Sequence, residues 1–107
     1  MMVSSLQGNL AISYEALGRR DEGLRLRQDV YSGCLKLFGE NERTLISANN
    51  YAVSLQTLKR SGEAKSLLRR TIPVARRVLG DNHKLTLKMR WLYAEALYKD
   101  DAATLDD

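Results

Sequence analysis

The feature that most constrains this chain is an internal repeat. Displaced by 41 or 42 positions, the 107 residues fall onto themselves. Leu37-Phe38-Gly39-Glu40-Asn41 overlies Val78-Leu79-Gly80-Asp81-Asn82, and Thr44-Leu45 overlies Thr86-Leu87 one residue later in register. Asn9-Leu10-Ala11 overlies Asn50-Tyr51-Ala52 and then Leu92-Tyr93-Ala94, while Glu22-Gly23 overlies Glu63-Ala64. A unit of this length cannot bury its apolar surface alone, so neighbouring units must stack into one continuous core. The chain holds about two and a half units, approximately residues 1–40, 41–81 and 82–107, the last incomplete. Together they form a single repeat domain.

Each unit reads as a pair of helices. The first helix of unit one spans residues 3–17, with Leu6, Leu10, Ala11, Tyr14 and Leu17 at three-to-four spacing. Its counterparts carry Leu45, Tyr51, Ala52, Leu55 and Leu58, then Leu87, Tyr93, Ala94 and Leu97. The second helix spans residues 21–38, with Leu24, Leu26, Val30, Tyr31, Cys34, Leu37 and Phe38 apolar. In unit two the matching set is Ala64, Leu67, Leu68, Ile72, Ala75, Val78 and Leu79. These stripes are too broad for one partner; they suit helices covered by their own pair and by the next.

The punctuation agrees. Gly39 and Gly80 follow the last apolar residues, where a helix ends most readily at positive φ. Asn41, Asp81 and Asn82 offer acceptors to the next helix start. Gly18 and Gly62 are expected to mark the turn within each pair. Pro73 breaks the pattern: inside a helix it removes an amide donor and crowds the Arg69 carbonyl, which predicts a kink.

Taken together, these residues resemble the tetratricopeptide repeat, in the 42-residue form found in kinesin light chains. Asn49-Asn50-Tyr51-Ala52 resembles the Asn-Asn-Leu-Ala of the family's first helix. The segment from Leu17 to Leu24 resembles its Gly-x-x-Glu-Glu-Ala turn, with Gly23 in place of the small alanine. The segment from Val78 to Leu87 resembles its Leu-Gly-x-x-His-Pro-x-Thr connector, with Lys84 replacing the proline. The third unit departs most: residues 99–107 read as a longer turn that stops where a second helix would begin. The resemblance implies an all-α, right-handed superhelical solenoid of antiparallel helix pairs, and a non-enzymatic protein–protein interaction scaffold. A partner segment or peptide would lie along a concave wall made by the first helices.

The family's geometry assigns that wall to Asn9 and Glu15 in unit one, and to Asn49, Asn50, Val53 and Gln56 in unit two. In unit three it assigns Lys88, Trp91, Leu92, Glu95 and Tyr98. Asn and Gln both donate and accept, which suits a peptide backbone. Trp91 and Tyr98, seven apart, read either as partner anchors or as packing for a second helix of unit three. Asn50 reads equally as a tie between helices. Gly8, Ile12 and Leu92 stand where a carboxylate clamp needs polar or basic groups, which argues against that sub-function.

Charge raises one alternative. The net charge is +4, and basic residues gather on the second helices, with Arg69, Arg70, Arg76 and Arg77 sharing faces seven apart. This is either a solvated convex face or a module that binds RNA or an anionic surface. No zinc spacing, phosphate-binding glycine loop or RNA-binding aromatic motif accompanies the arginines, which disfavours nucleic acid. One histidine (His83) and one cysteine (Cys34), far apart in the repeat order, supply neither a catalytic dyad nor a metal site. No cofactor is expected. Absence of an apolar run near ~18 residues excludes membrane insertion as a helix. The lone cysteine and the lack of a leader-like start point to a cytoplasmic setting. The incomplete third unit predicts a fragment of a longer array, or self-association through the uncovered C-terminal repeat face.

Overall fold

The computed structural model describes residues 19–106, with side chains through Lys99. The helix expected over residues 3–17 therefore lies outside the described residues, as do Asn9 and Glu15. What is described is helical, with no strand: α1 (Arg20–Phe38), α2 (Glu42–Thr57), α3 (Ser61–Val78) and α4 (Lys84–Asp106). α1 and α3 are the second helices of units one and two. α2 and α4 are the first helices of units two and three. Each helix packs on the next, and α2 also meets α4, whereas the backbones of α1 and α3 do not approach closely.

Burial follows the stripes read from the sequence in α2 and over most of α1 and α3, where Leu37 and Val78 are exposed instead. The core joins Leu24 of α1, Leu45, Ala52 and Leu55 of α2, Ala64, Leu67, Leu68 and Ala75 of α3, and Met89 and Ala96 of α4. Leu67 and Leu68 are adjacent yet both buried, which requires neighbours on two sides of α3. Ala52 is fully buried, as close approach of helices at that position demands.

The repeat recurs in individual contacts. Thr44 Oγ1 donates to the Cys34 carbonyl at 3.2 Å, and Thr86 Oγ1 to the Ala75 carbonyl at 3.4 Å. Each bond ties a first helix to the second helix before it. At the opposite ends, Arg19 pairs with Glu22 at 2.9 Å and Arg60 with Glu63 at 2.8 Å. Gly39 and Gly80 hold φ of 65° and 100°, the left-handed ends expected of them. Asn41 caps α2, its side chain accepting from Arg43 N–H at 2.8 Å and Thr44 N–H at 3.4 Å. At α4 the donor-accepting role falls to His83 rather than Asp81 or Asn82: its Nδ1 accepts from Leu85 N–H at 3.1 Å.

Three expectations need correction. Gly62 lies inside the first turn of α3, and the turn between α2 and α3 is made instead by Lys59, at φ 61°. Lys59 N–H bonds the Gln56 carbonyl and Arg60 N–H the Leu55 carbonyl, a Schellman ending with lysine where glycine is least strained. Lys59→Gly should therefore raise the unfolding free energy by about 1 kcal/mol, read as a higher urea midpoint at unchanged slope. Second, the α4 stripe expected over Leu87 and Ala94 is exposed, because no described helix covers that face, and Met89 and Ala96 are buried in its place; α3 runs through Pro73 as one helix. Third, no turn interrupts residues 99–106. α4 is one 23-residue helix, since that stretch holds neither glycine nor proline and carries Ala102 and Ala103.

Candidate functional site

Because the first helices lie side by side, α2 and α4 leave a groove between them. Its volume is about 520 Å³, and its lining is Asn49 and Val53 of α2 with Lys84, Leu87, Lys88, Trp91 and Leu92 of α4. The apolar floor (Val53, Leu87, Trp91) faces solvent instead of the core. Lys84 and Lys88 give the rim positive charge. Asn49 is the one polar side chain on the α2 wall, and its Oδ1 is buried without a hydrogen-bond partner. A buried carbonyl oxygen left unpaired costs about 1–3 kcal/mol, so a donor brought to it is favoured.

Of the wall residues named from the sequence, the structure brings together Asn49, Val53, Lys88, Trp91 and Leu92. Asn50 is exposed and does not line the groove. Gln56 and Glu95 meet each other: Gln56 Nε2 donates to Glu95 Oε1 at 3.1 Å, a bond between α2 and α4, and Lys99 Nζ reaches the same oxygen at 3.1 Å. They brace the groove from one end, while Gln56 Oε1 remains unpaired. Tyr98 points to solvent beyond that brace. Lys84 and Leu87 are the lining residues that sequence reasoning missed. Lys84 read as a connector residue, but it opens α4. Leu87 read as core by its equivalence to Leu45, a signal that holds only where a second helix covers it.

A second groove, of about 450 Å³, lies on the far side of α2 from Val53. It is lined by Tyr51 and Leu55 with Gly62, Glu63, Ser66, Leu67 and Arg70 of α3. Tyr51 stacks at a tilt on Tyr31 of α1, ring centres 6.3 Å apart. Burial, reinforced by the nearby Glu63 carboxylate and opposed by Arg60 and Arg70, pushes the Tyr51 phenol above the ordinary tyrosine range.

The arginines of α3 do not form a stripe of four free cations. Arg76 Nε is 2.7 Å from Asp81 Oδ1, and Arg77 pairs with Glu40. Both pairs cross from α3 to connectors between units. Arg69 and Arg70 are exposed, Arg70 on the lip of the second groove. His83, besides its bond to Leu85, has Nε2 4.0 Å from Glu42 Oε1. Cys34 is buried. Among the described residues no group of three or more His, Cys, Asp or Glu side chains could hold a metal ion. Among them, no helix is long and apolar enough to cross a membrane.

Compared with known proteins, residues 2–77 match the family described as tetratricopeptide repeat. No curated protein and no solved structure matches the chain.

Proposed function

Since this chain belongs to the tetratricopeptide repeat family, whose units serve generally as protein–protein interaction scaffolds and are typically non-catalytic, we propose that it captures a peptide segment in the groove between α2 and α4. The observation that carries this reading is the unpaired Asn49 Oδ1 set beside an exposed apolar floor. A peptide N–H supplies the missing donor. An apolar side chain of the peptide covers Val53, Leu87 and Trp91, and Lys84 and Lys88 favour a segment with negative charge. The spacing of 41–42 residues supports the kinesin light chain-like subtype and a superhelical path for the array. We also place these units in the cytoplasm.

Trp91 is the sole tryptophan of the chain, so its emission reports directly on the groove. Peptides selected from a displayed random library against the 107-residue chain should shift that emission to the blue. Asn49→Ala should weaken their binding about tenfold, with the melting temperature little changed. Val53→Glu should abolish binding. Selected peptides that bind the Val53→Glu variant as tightly would sink the proposal. Binding lost only on charge reversal at Arg69 and Arg70, with a steep dependence on salt, would favour the anion-binding alternative instead.

A further inference from the structure

α4 carries an apolar seam that no described helix covers. Leu87, Trp91, Ala94 and Tyr98 follow one another at intervals of four, three and four, the spacing of a two-helix seam. They lie opposite the face of Met89 and Ala96 that packs into the core. Leu87 is 47% exposed, Trp91 71% and Tyr98 75%, and Ala94 is exposed as well. So long an apolar ridge on a water-facing helix marks an interaction surface.

The repeat register says what does not fit there. In α2, the positions equivalent to Leu87, Arg90 and Ala94 are Leu45, Ala48 and Ala52, all buried. A further second helix packed on α4 as α3 packs on α2 would bury Arg90 where α2 has a fully buried alanine. The seam of α4 is rotated away from that arrangement, toward Trp91 and Tyr98, and leaves Arg90 on its flank.

The charges say what does fit. The first half of α4 carries Lys84, Lys88 and Arg90. Its second half carries Glu95, Asp100, Asp101 and Asp106 against Lys99 alone. A helix basic at one end and acidic at the other complements its own reverse. We propose that α4 is the interface of a two-fold homodimer, in which α4 of a second copy lies antiparallel along the Leu87–Trp91–Ala94–Tyr98 seam. Trp91 then packs on the second copy's Ala94 and Leu87 on its Tyr98, so the dimer covers part of the groove floor and competes with peptide for it. Lys88 faces the second copy's Glu95, and symmetry supplies the same pair twice.

Sedimentation equilibrium of the 107-residue chain across a micromolar dilution series tests this. The expected mass is twice 12.1 kDa at the upper concentrations, falling toward the single-chain value on dilution. Ala94→Glu, at an exposed position outside the peptide groove, should give single chains at every concentration with an unchanged far-ultraviolet dichroism spectrum. Lys88→Glu should weaken association on the order of tenfold or more. A chain that stays single throughout, or binds only a helix of different sequence on this face, overturns the proposal. So does a dimer whose mass is indifferent to Ala94→Glu or to Lys88→Glu.

Discussion

Leu45→Ala should lower the unfolding free energy by about 2–5 kcal/mol, whereas Leu87→Ala should change it by less than about 1 kcal/mol. The two leucines occupy the same place in the repeat, each directly after a threonine that bonds the preceding helix. They differ in what covers them. Leu45 belongs to the core and is 2% exposed, so truncation removes apolar contacts and leaves a cavity. Leu87 faces solvent and the groove, so truncation removes little that folding had buried. Urea unfolding at low protein concentration, where association does not contribute, gives both values. Equal costs at the two positions would mean that Leu87 is covered in the folded chain, and would remove the apolar floor on which peptide capture depends.

Pro73→Ala should stabilise the protein by about 1–3 kcal/mol. Proline in a helix interior costs roughly 3 kcal/mol relative to alanine, through the lost amide donor and its clash with the carbonyl one turn back. The Arg69 carbonyl is that partner here, and α3 runs on past it to Val78. The proline ring is exposed, so its replacement removes little packing. Against the gain stands the freer unfolded chain that alanine allows, worth about 0.4–1 kcal/mol. A domain of this size should melt at least ~4 °C higher. An unchanged or lower melting temperature would show that the second half of α3 depends on the proline.

Much of this architecture was legible because the chain states it more than once. Helix order, most of the buried faces of α1, α2 and α3, the left-handed glycines and the Asn41 cap all follow from side-chain spacing and from chemistry local to a turn. What escaped was whatever depends on a neighbour. Lys59 adopts the conformation expected of a glycine because the hydrogen bonds of the α2 ending hold it there, and lysine gives no sign of that in sequence. Leu45 and Leu87 are alike in register but not in environment. Gln56 and Glu95 both read as wall residues, yet they are 39 positions apart and bond each other, a pairing no local pattern displays. The arginine stripe of α3 read as a field of charge; its partners Glu40 and Asp81 sit in connectors outside the helix that was read.

The unequal spacing of the helices has a mechanical consequence. First helices touch one another, α2 to α4, and are bridged by Gln56 and Glu95, while the second helices α1 and α3 stand apart. Bending that spreads the second helices parts no closely packed backbones and strains only the exposed Arg77–Glu40 pair; spreading the first helices must pull a packed contact and a hydrogen bond apart. The stack is therefore stiff along one edge and compliant along the other. Force that bends the stack parts the α1–α3 edge first, and the α2–α4 edge acts as the hinge about which the units flex.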